Sequence, residues 1–332
     1  MKWIKIMALT KKMVALLTIA LALVYFVVLF YLPIEGFIER HDNMVLFAPK
    51  IMFLAIIAAI ATIFVIILIF KRSFISWQLL SFDRYKNYLW LLIRRDFISR
   101  YRKSILGVLW SLLNPLLTMI VLTLVFAHLF RFQVEFFAVY ILSGQLIFNF
   151  FSESTNLAMN SVIGAEGVIK KIYMPKYVFP LSKVISSLIN MGFSLIAFLL
   201  VFTVMGVPFS WTMLLIPVPM IYVFVFSLGV AMFVSSMAVF FRDLIYLYGV
   251  MLTLWMFLTP IIYPVDILPE WLMPYYGLNP LYHFVDYFRS VAMWGMVPDL
   301  WSNLVCISFS LASLCFGTYV FMIKQDRYIL YM

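Results

Sequence analysis

Apolar residues in this chain fill whole segments, interrupted by short clusters of charge. Runs near the roughly 20 residues a helix needs to cross a bilayer are Met13 to Tyr31, Ile51 to Phe70, Leu106 to Phe130 and Phe136 to Val162. Others follow at Val178 to Met205, Trp211 to Phe240, Leu244 to Pro264 and Leu304 to Ile323. The pattern predicts an all-α polytopic membrane protein of about eight transmembrane helices. Between the last two runs, Val265 to Ser302 holds Pro269, Pro274 and Pro280 among short apolar pieces and is too broken to span. Within it, Leu281 to Met296 places Leu281, Phe284, Phe288 and Val291 along one side and His283, Asp286 and Arg289 elsewhere. That suits a short helix lying in one leaflet or re-entering it, either as a gate or as an inert hairpin.

Composition and charge turn this pattern into a solvent and an orientation. Of 332 residues, 66% are hydrophobic and 11% charged, so the outer surface must face lipid. Charged side chains are costly at the bilayer centre and mark where the chain leaves it. With the N-terminus inside, Lys2, Lys5, Lys11, Lys12, Lys71, Arg72 and the basic residues from Arg84 to Lys103 lie in the cytoplasm. Lys170, Lys171, Lys176, Lys183, Arg242, Lys324 and Arg327 join them. The other side keeps Arg40, Lys50, Arg131 and Arg289 against a larger set of carboxylates, so both termini are expected in the cytoplasm. The net charge of +10 is then a topology signal rather than a nucleic-acid footprint, although the inner basic belt can also meet anionic lipid. The N-terminal basic cluster and apolar run resemble a signal peptide. With no small-x-small end, the run is expected to remain as a first span.

The absences matter as much. The chain has no G-x-x-x-x-G-K-[ST] phosphate loop and no G-x-S-x-G elbow, and His41, His128 and His283 stand away from cysteine or carboxylate at ligand spacing. Cys306 and Cys315 point to opposite faces of a helix at about 100° per residue. Neither catalysis nor a metal or cofactor is expected in this chain.

Three features stand out. The segment Arg84 to Lys103, RYKNYLWLLIRRDFISRYRK, mixes aromatic anchors with a basic cluster. On a helix Tyr85, Tyr88, Leu89, Leu92 and Ile93 share a face, and Asp96 and Arg100 fall at i,i+4 spacing, where they can pair. This is an imperfect interfacial helix, either a topology anchor or a collector of phosphate headgroups through Arg94, Arg95, Arg100, Arg102 and Lys103. Second, polar stripes run inside the apolar segments: Gly107, Ser111, Asn114 and Thr118; Asn149, Glu153, Asn156 and Asn160; Ser182, Ser186, Asn190 and Ser194. Each marks one helix face, lining a hydrophilic path or packing helices through hydrogen bonds. The Glu153 stripe favours the path and the serine stripe favours packing. Third is the proline-broken segment described above.

These residues carry a resemblance. The string RKSILGVLWSLLNPLL at Arg102 to Leu117 resembles the first-span signature of permease subunits of type 2 ABC exporters for polyprenyl-linked polysaccharides such as O antigen, capsule or teichoic acid. The similarity continues through YILSGQLIFNFFSESTNLAMNSV from Tyr140, VIKKIYMPKYVFPLSKV from Val168, FFRDL from Phe240, LTPIIYP from Leu258 and LNPL from Leu278, and it covers the chain from about Tyr85 onward.

What the resemblance implies can be placed on these positions. Residues 82–332 form the exporter domain, with an interfacial helix at 84–103, six spans and a gate hairpin at about 265–302. The loop Gly164 to Tyr177 becomes a coupling helix for a separate ATPase, through Glu166, Val168, Lys170, Lys171, Tyr173, Pro175 and Lys176. Trp271, Tyr275, Tyr276, Phe284 and Phe288 belong to the gate. Two copies of the chain enclose a channel above two copies of a P-loop ATPase that binds ATP and Mg, and the transported partner is a polyprenyl-linked glycan in a bacterial inner membrane. The 9 Trp, 19 Tyr and 34 Phe offer stacking faces for sugars, or simply lipid-facing and interfacial surface. The pattern departs from this family at the front, where residues 1–81 add two spans and a linker. Two rival readings are an ABC exporter of a drug or another lipid, and a polytopic glycan polymerase or ligase. The short acidic outer loops speak against the second.

Overall fold

The computed structural model describes residues 72–102, 106–129, 134–171, 174–267, 269 and 276–331. The runs Met13 to Tyr31 and Ile51 to Phe70 lie outside the described residues. So do Lys103, Tyr173, Trp271 and Tyr275. The chain divides into two units, Met1–Tyr85 and Lys86–Met332. Among the described residues every regular element is a helix.

The first helix, α1 (Arg72–Tyr101), is longer than the interfacial segment expected from sequence. No proline or glycine occurs between Arg72 and Leu106, so nothing interrupts it and residues 72–81 are helical. The expected apolar face is real. Leu89, Leu92 and Ile93 are buried against Val162, Ile169, Val178, Phe179 and Tyr328. Trp90, 65% exposed, lies on the other side with Leu91, Arg94 and Arg95.

Gly107, at φ +48°, turns the chain into α2 (Leu109–Leu129). This helix is scarcely covered by the rest of the chain, and Leu109, Leu117, Ile120, Val121 and Leu124 are exposed. The next helix, α3 (Phe137–Met159), is its opposite: every side chain from Phe137 to Phe148 is buried. After a 3-10 turn at Ile163–Ala165 come the short α4 (Glu166–Ile169) and then α5 (Val178–Val204). The run Trp211 to Phe240 resolves into a 3-10 turn, Trp211–Leu215, and α6 (Pro217–Phe240), because Pro217 is set for a first helical turn. The bundle is completed by α7 (Leu244–Leu258), α8 (Pro280–Ala292), α9 (Leu300–Lys324) and, after a 3-10 turn, α10 (Tyr328–Tyr331).

Four described stretches are long and apolar enough to cross a membrane: Leu109–Phe126, Val178–Val204, Trp211–Phe240 and Leu300–Tyr331. The polar residues Gln145, Asn149, Glu153 and Asn156 keep α3 out of that group, and α7 is too short at 15 residues. A polar helix of this kind is stable in lipid only when other helices surround it, which is where α3 sits.

The α6–α9 pair packs most extensively. Ser310 and Ser313 donate from Oγ to the carbonyls of Tyr222 and Phe226 at 2.8 and 2.9 Å, and Gly317 meets the Gly229 backbone directly. Small residues at i, i+3 and i+7 let two backbones approach, the usual route to tight packing where lipid supplies no hydrophobic drive. Aromatic rings fill the centre: Phe151 stacks edge-on to Trp255 at 5.0 Å, Phe226 lies 5.4 Å from Phe284, and Phe198 lies 5.3 Å from Phe288.

Asn279 starts α8 and ties it to the end of α7. Its Oδ1 accepts from the Leu281 amide at 3.1 Å and from Trp255 Nε1 at 2.8 Å. Its Nδ2 donates to the Leu258 carbonyl at 3.1 Å and to Thr259 Oγ1 at 3.0 Å. The LNPL and LTP strings are thus one hydrogen-bonded joint. Asn279→Ala is predicted to cost roughly 2 kcal/mol, combining a lost cap with unpaired polar groups. Thermal unfolding in detergent checks this, and a melting temperature equal to that of the parent chain would refute it.

Candidate functional site

The polar stripes of α2 and α3 face one cavity of about 770 Å³. Ser111, Asn114 and Thr118 line it from α2, and Gln145, Asn149, Ser152, Glu153 and Asn156 from α3. Asn190 and Ser194 close it from α5, Arg100 and Tyr101 from the last turn of α1, and Ile261 and Ile262 from the segment after α7. Six of the seven channel residues expected from sequence therefore share one space. Asn160 does not border it. Seven residues past Glu153 it keeps the helical bearing, but α3 ends at Met159 and Asn160 is its C-cap, exposed beyond the cavity.

The charges at one end of this cavity are paired across helices. Arg100 forms an ion pair with Glu153, the two side chains being 35% and 25% exposed. Glu153 also accepts from Asn190 Nδ2 at 2.7 Å, and Tyr101 OH donates to Asn190 Oδ1 at 3.2 Å and contacts Ser111 Oγ. Asp96 turns instead to Lys183 at 2.7 Å and to Arg95 at 3.3 Å. The i,i+4 pair of Asp96 with Arg100 is thus not the one formed. Each side chain meets a partner in a neighbouring helix instead, Asp96 with Lys183 and Arg100 with Glu153. Arg94 and Arg102 are exposed.

The loop from Ile163 to Lys176 is amphipathic on a small scale. Ala165 and Ile169 turn inward, while Gly164, Gly167, Lys170 and Lys171 are exposed. Glu166 pairs with Lys170 at 2.6 Å, and that hydrogen bond, with the lysine charge, holds its carboxyl below the usual range. Val168 is half-buried and packs beside the α1 face, and Pro175 accepts from the Val178 amide at 3.3 Å. Lys176 donates to the Gln325 carbonyl at 2.5 Å and lies 5.5 Å from the Tyr328 ring, so the loop is fastened to the C-terminal turn. Burial lowers the Lys176 pKa, and Asp326 opposes the shift.

At the other end of α3, Phe284 and Phe288 are fully buried in the bundle, while Tyr276 OH meets Tyr263 OH at 2.8 Å. Beside them sits Arg289, which charge patterning alone places among the outer residues. It is 2% exposed. Its Nε donates to Ser143 Oγ at 3.1 Å, Nη1 to the Pro260 carbonyl at 2.8 Å, and Nη2 to the carbonyls of Tyr140 and Ile261 at 3.1 Å each. The guanidinium carbon stands 3.4 Å from the Tyr140 ring centroid. No Asp or Glu among the described residues forms a direct ion pair with it, so carbonyl dipoles and a π face hold the charge, with the Asp286 carboxyl acting from a distance. The signal in the sequence is weak: Arg289 follows the buried Val285 by four residues, at the edge of the apolar side of α8.

A bundle of apolar helices with a polar cavity walled by α2, α3 and α5 and bordered by the end of α1 fits a membrane transport domain. Residues 87–293 match the ABC-2 type transporter family, and the chain belongs to it. It is 28% identical over 249 residues to the O-antigen export system permease protein RfbA of Myxococcus xanthus, covering 74% of this chain and 95% of that protein. It is 30% identical over 213 residues to the protein of the same name from Klebsiella pneumoniae, covering 62% of this chain and 80% of the relative. The polysialic acid transport protein KpsM of Escherichia coli is 23% identical over 251 residues, covering 71% and 92%.

Proposed function

We propose that this chain is the permease subunit of an ATP-driven exporter that moves a polyprenyl-pyrophosphate-linked polysaccharide across the bacterial inner membrane, with both termini in the cytoplasm. The observation that carries the reading is the polar cavity of about 770 Å³, with Arg100 at one end, inside a chain of the ABC-2 type family. Its relatives named for O-antigen export and polysialic acid transport support the substrate class. Two copies of the permease enclose the path, and two copies of a separate P-loop ATPase bind ATP and Mg. The amphipathic loop around Glu166, Lys170 and Lys176 docks on that ATPase. Fastened by Lys176 to the C-terminal turn, it passes a push on the loop to α6 and α9, whose ends surround Tyr328. The residues around Tyr276, Phe284 and Phe288 serve the outer gate. Arg94, Arg95, Arg102 and Lys103 gather the headgroup at the inner surface.

The test has two parts. The chain should co-purify with a P-loop ATPase, and its loss should leave lipid-linked glycan accumulating inside the cell. Normal surface glycan in cells lacking this chain would overturn the substrate. A rise instead in intracellular drug or another lipid would favour an ABC exporter of that class.

A further inference from the structure

The ion pair of Arg100 and Glu153 stands in a wall. A second cavity of about 250 Å³, bordered by Asp96, Ser99, Lys183 and Ser186, lies beside the larger one. Arg100, Tyr101 and Asn190 line both. The two spaces therefore share Arg100 and Asn190, which bond to Glu153, and Tyr101, which bonds to Asn190. Both cations that line the smaller cavity already face a carboxylate, Lys183 through Asp96 and Arg100 through Glu153. An anion arriving there competes with a carboxylate for each of these charges.

We propose that Glu153 is an internal counter-anion which occupies the Arg100 guanidinium at rest and yields it to a phosphate-bearing headgroup, opening the partition between the two cavities. This deepens the exporter reading and rests on it. The pair is part-exposed, so water screens it and separation is not prohibitive. A pyrophosphate carries more charge than a carboxylate and accepts two parallel N–H bonds from a guanidinium. On release Glu153 keeps its bond from Asn190 Nδ2, and Asn190 and Tyr101 move with it because they belong to one network. A headgroup with a single charge competes less well, so the pair also discriminates among lipids.

The experiment places the full-length permease in phosphatidylcholine nanodiscs and measures the dissociation constant of inorganic pyrophosphate, then of undecaprenyl pyrophosphate incorporated in the discs. Removing the competitor in Glu153→Gln should tighten binding by about tenfold, a shift of about 1.4 kcal/mol. Arg100→Gln should weaken binding, and the double variant should match Arg100→Gln because the competitor acts only through that arginine. Should Glu153→Gln fail to fold, Glu153→Asp, which keeps the charge but retracts it by one methylene, should show a smaller gain. A gain for both probes means that phosphate chemistry alone suffices. A gain for the lipid-borne probe alone means that the ligand arrives through the bilayer. Unchanged affinity for both probes in every folded Glu153 variant overturns the proposal, and it does so independently of the export reading, which stands or falls on glycan accumulation.

Discussion

Gly317→Ala is expected to destabilise this protein by about 3 kcal/mol. A methyl group at position 317 would overlap the carbonyl oxygen and carbon of Gly229, and one at position 229 would overlap the Ser313 carbonyl. Overpacking is usually relieved by a change of rotamer, but here the obstacle is backbone on both sides. The α6–α9 pair would have to separate. Separation would also break the bonds from Ser310 and Ser313 to the Tyr222 and Phe226 carbonyls, leaving polar groups unpaired inside the bundle. Gly192→Ala and Gly249→Ala are the controls, because an added methyl meets nothing within 4 Å at either position. Both should be neutral or slightly stabilising, since alanine is the better helix former. Thermal unfolding in detergent reads all three, and equal melting temperatures for Gly317→Ala and the controls would remove the steric argument.

Arg289→Met should cost about 3 kcal/mol, because several buried acceptors lose their donor at once. Methionine fills much of the volume but leaves the carbonyls of Pro260 and Ile261 without their donor. Both residues lie past the last turn of α7, where no helix amide reaches them. Arg289→Lys should recover only part of the loss, because one ammonium cannot reach Ser143 and three carbonyls in the planar fork geometry. Gly144 belongs to the same site: a methyl there would stand 3.0 Å from Arg289 Nη2 and from an Ile261 side-chain carbon. The strings YILSG and LTPII thus build one socket for one arginine. Full stability of Arg289→Met in a melting experiment would show that water or another donor replaces the guanidinium.

Several parts of this site could be read along the chain. The α1 face of Leu89, Leu92 and Ile93, and the cavity face of Asn149, Glu153 and Asn156, follow from a period of 3.6 residues, which is local information. Cys306 and Cys315 are both free, as their opposite bearings on one helix imply. Other parts could not be read this way. Asn160 has the right bearing and the wrong depth, because a helix end is set by the turn that follows rather than by the stripe. Asp96 and Arg100 had the right spacing for each other, yet the crossing of α1 over α3 and α5 gave each a different partner. The spacing of Ser310, Ser313 and Gly317 gains meaning only from the glycine that faces it across the helix pair.

Alone, the sequence determined the solvent, the helical class, the polar faces and the series of strings shared with an exporter family. Each of these depends on composition or on the spacing of neighbours. The tertiary structure alone decided that Arg289 is a buried pin, that Glu153 holds Arg100, and that two cavities meet at that pair. These depend on where helices cross, and a crossing is set by packing between segments that can be more than a hundred residues apart, as Ser143 and Arg289 are, 146 positions from each other.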